Sequence, residues 1–478
     1  MIVDVVFDLP VDHPFSYRVP QELAGNIGVG QRVRAPLRKH HRIGLVVACR
    51  DGAQESLEPI AGLVDVSPPI TPGGLAFIRG IAEESLTSWG SCAAALLPPH
   101  TRGSGFGVRV PVPEPPTPIP DPRSPIPESR IPELLIGGDR EARLLKALEV
   151  HREKGGVLLL VPEIEDAESW VARLESALDL PVRRLDSGRP VRVRQRAWEE
   201  LADGTARVAV GTRSALLAPL ALPTTLVLLD EHDSAHKPPG GARFHCRDGA
   251  LARARAEGDR LLLVSATPSV ESWWQAENGQ FALREGAPAP WPSISVVDLR
   301  GRSHGIPLSP PLCQAVADAL KGGRQVLLLI AKVGAGLACG ECGFFFRCPE
   351  CGIGLAYSRS ASDLSCRLCR RRSTAPLTCP GCRGRRFSTV GWSAEKVEEA
   401  VRRNFPGVSV TRYAGKSARG AQNTAMERAI KDGTARVVIG TRAALKIVSP
   451  ERLGTVGIIT PDPLLRLPDF RAAERTFA

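Results

Sequence analysis

No run of about 18 apolar residues occurs in this 478-residue chain, which excludes a hydrophobic membrane-spanning helix. The N-terminus, MIVDVVFDLPVDHPF, lacks the basic segment that precedes the apolar core of a secretory signal and carries Asp4 and Asp8 instead. A cytoplasmic protein is expected. Nothing supplies an oxidising compartment, so the twelve cysteines do not read as a disulfide framework. No stretch reads G-x-x-x-x-G-K-[ST], so the ordinary loop that cradles nucleotide phosphates is missing. What is present is globular in character: 43% hydrophobic and 24% charged residues, over a length suited to roughly three domains.

Eight of the cysteines fall in one window as four pairs, Cys339/Cys342, Cys348/Cys351, Cys366/Cys369 and Cys379/Cys382. Two residues between thiols let one turn present both sulfurs to a single tetrahedral ion. The glycines of CGECG, CPECG and CPGCRG are expected to supply the left-handed backbone of these turns. A C-x-x-C redox motif would explain one pair but not four. Two structural zinc ions, each held by four cysteines, are therefore expected, and the spacing allows either sequential or nested pairing. Cys49, Cys92, Cys246 and Cys313 are scattered and read as small core residues.

The formal charge of +11 points to a polyanionic partner such as nucleic acid. Two zinc ions on eight thiolates would lower that balance to +7 without reversing it. Nine arginines lie between Cys339 and Arg386, where they can offset the zinc centres and contact phosphates.

Along the chain, MIVDVVF and GQRVRAPLRKHHRIGLVVACR read as strands of a small β domain. Arg38, Lys39, His40, His41 and Arg42 crowd its hairpin connection, and a helical stretch follows near residues 75–97. Ten prolines between Pro111 and Pro132 then form an extended linker. Beyond it, short apolar strands ending in polar residues alternate with amphipathic helices, the pattern of a parallel α/β sheet. The pattern resumes after Trp291 and is interrupted by the cysteine segment. DGTARVAVGTRSAL at 203–216 recurs as DGTARVVIGTRAAL at 432–445, with eleven of fourteen residues identical. An equivalent strand and turn in each of two related lobes is expected, with a cleft between them as in helicase motors.

VAVGTRSALLAPL, LVLLDEHDSAHK, FHCRDGALARA, LLLVSATPSVES, the eight-cysteine segment and PDFRAAERTF resemble the bacterial replication restart PriA (primosomal protein N′) family. These are superfamily 2 DNA helicases, and this chain looks like a divergent form without the Walker A loop. MIVDVVFDLPVDHPFSYRVP is similar to the family's domain that binds the 3′ end of DNA. The resemblance implies a multidomain protein with a small N-terminal β-rich domain and two RecA-like α/β lobes, the second carrying a Cys-rich double-zinc insertion. The implied segments are 1–107 (3′-end-binding domain), 108–132 (linker), 133–290 (degenerate lobe 1), 291–338 (start of lobe 2), 339–388 (zinc module) and 389–478 (rest of lobe 2). It also implies interleaved zinc sites: Cys339, Cys342, Cys379 and Cys382 for one ion, Cys348, Cys351, Cys366 and Cys369 for the other. Phe15 matches the position that receives the terminal base, where stacking suits an unpaired base. Ser16 follows it where the family often has an acid. Arg38 and Lys39 are further DNA-binding candidates.

The motor motifs depart from the family. PELLIGGDREARLLKALEV stands where the phosphate loop should be, keeping Gly137 and Gly138 but continuing with Asp139, Arg140 and Glu141. Asp230-Glu231-His232-Asp233 is one acid shorter than the family's Asp-Glu-Glu-His-Asp. The family's arginine-bearing motif and C-terminal domain would follow Ala478, GTRAALKIV stands where the family has GTQM…KG, and the linker occupies the place of a winged-helix domain. Asp230, Glu231 and His232 are thus a degenerate catalytic set, with no working ATP–Mg²⁺ site expected. The expected function is a monomeric DNA-binding protein of replication restart that recognises forked or branched DNA, holds primosome or replisome-loading proteins and lacks helicase activity. The alternative is an active ATP-dependent 3′→5′ helicase with an atypical nucleotide site.

Overall fold

Alternating valines open the chain as strand β1 (Ile2–Phe7), which buries Val3, Val5 and Phe7. β2 (Phe15–Arg18), β3 (Arg32–Leu37), β4 (His40–Arg50) and β5 (Gly62–Leu63) complete an antiparallel sheet in the order β2-β1-β4-β3-β5. The structure is a computed structural model that describes residues 1–52, 56–65, 69–98, 131–237, 242–288, 291–298, 307–330, 336–358, 362–366, 368–390, 392–413, 415, 420–459, 461–465 and 469–477. The proline-rich linker lies, up to residue 130, outside the described residues. The chain divides into two compact units, Met1–Trp291 and Pro292–Ala478.

In the first unit, two capped helices follow the small sheet. Thr71 accepts from the Gly74 amide ahead of α1 (Pro72–Ser85), and Ser88 accepts from the Ser91 amide ahead of α2 (Trp89–Leu96). Their apolar faces, including Phe77, Ile78, Ile81 and Leu96, share one core with Leu216, Leu228 and Ala250 of the following lobe. That lobe runs β6 (Glu133–Ile136), α3 (Arg140–Leu148), β7 (Gly156–Leu160), α4 (Ile164–Leu178), β8 (Val182–Leu185), α5 (Val191–Ala202), β9 (Val208–Gly211), β10 (Thr224–Leu229), α6 (Cys246–Glu257), β11 (Arg260–Val264), α7 (Val270–Glu277) and β12 (Ala282–Glu285). Its strands pair in parallel in the order β12-β6-β11-β10-β7-β9-β8. Continuous burial of β7, β9 and β10 explains their unbroken apolar sequences.

The second unit holds a smaller parallel lobe. α8 (Pro310–Lys321) precedes β13 (Gln325–Ile330). An antiparallel insertion follows, with β14 (Gly336–Cys339), β15 (Ala356–Ser358), β16 (Asp363–Ser365), β17 (Arg372–Thr374) and β18 (Phe387–Val390) in the order β17-β16-β15-β14-β18. The lobe resumes with α9 (Ala394–Asn404), β19 (Val410–Tyr413), α10 (Gly420–Asp432), β20 (Val437–Gly440) and β21 (Leu453–Ile459), its sheet ordered β19-β20-β13-β21. The chain is thus an N-terminal β-rich domain and two RecA-like lobes, with the cysteine-rich insertion in the second.

The internal repeat lies in corresponding places. In lobe 1, Val182 to Leu185 pair in parallel with Val208 to Gly211. In lobe 2, Val410 to Tyr413 pair with Val437 to Gly440 in the same register. The repeated unit is a whole strand–helix–strand, although only its last strand and turn retain sequence identity.

Candidate metal centres and nucleic-acid interface

The insertion gathers the eight cysteines into two groups of four. Cys339, Cys342, Cys379 and Cys382 form one; Cys348, Cys351, Cys366 and Cys369 form the other. Pairing of β14 with β18 brings the outer knuckles together, and the hairpins of β15, β16 and β17 bring the inner ones together. The sulfurs of Cys339 and Cys382, Cys342 and Cys379, and Cys348 and Cys369 each lie 3.6 Å apart. Four thiolates around zinc at about 2.3 Å have sulfurs about 3.8 Å apart, so both groups fit a tetrahedral ion. Backbone N–H groups of Cys342 and Glu341 hold the Cys339 thiol down to about 7. Burial, then the facing thiols, push Cys351 up to about 12. Such crowding favours a divalent cation that stabilises all four thiolates.

The residue after the second cysteine is left-handed in every knuckle: Gly343 at φ 75°, Gly352 at 69°, Arg370 at 64° and Arg383 at 63°. The glycine expectation therefore holds for two knuckles and is corrected in CPGCRG, where Arg383 rather than Gly384 takes the left-handed turn. Gly384 is close-packed instead, since a Cβ there would meet the Glu341 carboxyl at 2.5 Å.

At the strand ends of lobe 1, the connection from β6 to α3 is only Gly137, Gly138 and Asp139. Gly137 is left-handed at φ 112°, and the Gly138 amide donates to the Ala287 carbonyl at 2.8 Å. Arg140 bonds the Gly137 carbonyl at 3.2 Å, and Arg143 bonds the carbonyls of Ile136 and Arg284 at 3.2 Å each. Asp139 occupies the N-cap without a side-chain cap bond, and Glu141 follows in the first turn. The Gly138 amide is spent within the protein, and the start of α3 carries two carboxylates, Asp139 3.8 Å from Arg143 and Glu141 2.6 Å from Arg173, where a phosphate site would present free amides and a lysine. These residues do not fit a nucleoside triphosphate.

Asp230 ends β10 in the left-handed region at φ 46°. Its surface is exposed, yet the surrounding protein desolvates the carboxyl and raises its pKa. Glu231 is fully buried. Its carboxylate accepts from the Ser269 amide at 2.6 Å, the Ser269 hydroxyl at 2.9 Å and Arg247 at 3.2 Å. That acid cross-links β10, α6 and the cap of α7 and has little freedom to orient a water. His232 Nδ1 lies 2.8 Å from Ser265 Oγ in SATP, which joins the turns that follow β10 and β11. Arg247 and Ser269 lie in FHCRDGALARA and LLLVSATPSVES, where nothing in the local sequence marks them as partners of Glu231. The buried salt link is where a long-range fold contact decides.

Phe15 is half-buried, its ring 5.7 Å from Phe7 and 5.1 Å from His13. Ser16 donates to Asp4 at 2.7 Å, and Arg50 also binds Asp4 at 2.6 Å, so the position beside Phe15 is tied into the sheet. Arg38 and Lys39 form the two-residue turn of the β3–β4 hairpin, with Arg38 at φ 55°. Both are exposed, as are His40, His41 and Arg42. In the zinc module Arg347, Arg370, Arg372, Arg383 and Arg385 are exposed and make no ion pair among the described residues, whereas Arg371 pairs with Glu350 at 2.5 Å. No helix among the described residues is long and apolar enough to cross a membrane.

Residues 4–98 match the family of the PriA 3′DNA-binding domain (3′BD). Replication restart protein PriA of Treponema pallidum (strain Nichols) is 28% identical over 504 residues, covering 100% of this chain and 76% of that protein. Its counterpart in Haemophilus influenzae is 30% identical over 71% of this chain and 47% of its own. That of Bacillus subtilis (strain 168) is 28% identical over 71% and 44%. The chain thus spans less than half the length of the last two relatives. Among solved structures, the DUF1998 helicase MrfA bound to DNA and AMPPNP aligns with TM-score 0.38 and 12% identity over 72% of this chain and 48% of that one. RecG bound to a three-way DNA junction aligns with TM-score 0.36 and 13% identity over 73% and 44%.

Proposed function

Because this chain is a divergent relative of the replication restart PriA proteins, we propose that it binds forked or branched DNA during replication restart without acting as a helicase. It works in the cytoplasm as a monomer. The Gly137–Asp139 connection carries the second half of this reading: its Gly138 amide is bonded to Ala287, no lysine or hydroxyl side chain stands in it, and Asp139 and Glu141 add negative charge at the start of α3. Phosphoryl transfer depends on positioning and charge compensation, and both are lost here.

Binding would rest on the N-terminal sheet and the zinc module. Phe15 offers a half-buried ring at the start of β2, Arg38 and Lys39 offer a cationic hairpin tip, and the arginines around the zinc knuckles that make no ion pair among the described residues offer phosphate contacts. Zinc on the two cysteine groups would fix those arginines in place. The same module is a surface for primosome or replisome-loading proteins. Fork affinity should fall steeply with salt, by about tenfold or more between 50 and 200 mM for several phosphate contacts. A flat salt profile would remove the mechanism.

The His232–Ser265 bond of 2.8 Å favours a second reading, a motor that still couples its motifs through an irregular nucleotide site. DNA-stimulated phosphate release abolished by Asp230→Ala would establish it.

A further inference from the structure

Between α9 and the zinc-module sheet lies a cavity of about 470 Å³, a size suited to a small ligand. Trp392, Tyr357 and Phe387 line it, all three only half-buried. The edge-to-face packing of Phe387 on Phe346, with centroids 5.7 Å apart, holds that wall in place. The polar side comes from α9, which presents Lys396, Glu399 and Arg403 to the cavity at helical spacing on one face. Lys396 Nζ sits 6.0 Å from the Trp392 ring centroid and donates to Thr389 Oγ1 at 3.1 Å, so the cation and the ring are already positioned together. Arg403 is exposed and makes no ion pair among the described residues.

A tryptophan serving only the core of the parallel sheet would be covered, and its neighbours would not be two cations. We propose that this cavity receives one unpaired nucleotide of a DNA strand. The base stacks on Trp392, and Lys396 and Arg403 hold its phosphate. Glu399 accepts from an exocyclic amine, which favours cytosine over thymine. The inference rests on the reading that the chain binds DNA, and places one single-strand contact beside the zinc module.

The test uses the zinc-replete full chain with fluorescent d(C)8, d(T)8, a forked DNA and a blunt duplex, measured by anisotropy, with free dCMP as competitor. Trp392→Ala should weaken d(C)8 about tenfold, the loss of one base–ring stack. Trp392→Phe should retain most of the affinity, and Arg403→Ala should reduce the salt slope by about one. Blunt-duplex affinity and two zinc per chain should be unchanged in all three variants. Unchanged d(C)8 binding by Trp392→Ala, or an equal loss on the blunt duplex, would overturn the site. Saturable dCMP binding without d(C)8 binding would overturn its assignment to a strand. If the wild-type chain binds neither fork nor d(C)8, the DNA-binding reading itself fails, which is a separate result.

Discussion

The segments 203–216 and 432–445 are one device built twice, and the arginine they share meets different surroundings in each. In both, an aspartate accepts from the amide two residues on, Asp203 from Thr205 at 2.8 Å and Asp432 from Thr434 at 2.9 Å. A left-handed glycine follows, Gly204 at φ 80° and Gly433 at 87°. Both strands end in a glycine pressed against its neighbours. A Cβ on Gly211 would lie 2.5 Å from the Leu185 carbonyl oxygen and 2.6 Å from Ala215 Cβ, and one on Gly440 would lie 2.6 Å from both Tyr413 O and Ala444 Cβ. The arginines then part. Arg213 lies 4.6 Å from the Phe244 ring centroid, bonds the Ala242 carbonyl, and is held below its usual pKa by burial. Arg442 is exposed. The strand and turn are local chemistry, whereas the fate of the side chain depends on what a distant segment lays over it.

Four experiments bear on this comparison. The largest effect should come from metal. A structural zinc contributes on the order of 10 kcal/mol to its fold, so chelation should speed amide exchange through β14 to β18, in the lobe that holds the second copy. The first copy, on β9, should stay protected. Equal exchange in both copies would show that the insertion does not set the stability of its lobe. Next, Gly211→Val and Gly440→Val should each destabilise by roughly 1–3 kcal/mol in urea unfolding, because the strand end has no room for a side chain. A large loss in only one would break the equivalence.

The arginines should behave oppositely. Arg213→Ala should cost about 1–3 kcal/mol by orphaning a buried carbonyl and the Phe244 face, while Arg442→Ala should change stability by less than about 0.5 kcal/mol. The smallest effect is in acid. Both Asp203 and Asp432 have pKa values lowered first by their hydrogen bonds to Thr205 and Thr434. A depressed folded pKa gives stability above the unfolded value of about 3.9, lost as pH falls through the folded one. Asp203→Asn and Asp432→Asn should therefore each flatten, slightly and equally, the fall in thermal midpoint between about pH 5 and about pH 3.

Much of this was legible because it is local. C-x-x-C spacing announced four knuckles, and unbroken apolar runs announced buried parallel strands. The repeat announced two lobes, and the loss of the Gly-Lys-Ser/Thr signature announced an altered phosphate loop. The grouping of the knuckles was not readable from spacing, since it depends on β14 pairing with β18 across the whole insertion. Nor was the sealing of Gly138 by Ala287, the capture of Glu231 by Ser269 and Arg247, or the left-handed Arg383. Each joins or strains residues in ways that only the assembled backbone decides.

The most direct test of the central claim is phosphate release from ATP by the zinc-replete chain with saturating forked DNA. The account predicts no release above the DNA-free background, and no difference between the wild-type chain and Asp230→Ala. DNA-stimulated release that disappears in Asp230→Ala would contradict it, and would mean that lobe 1 holds a triphosphate despite Asp139 and Glu141.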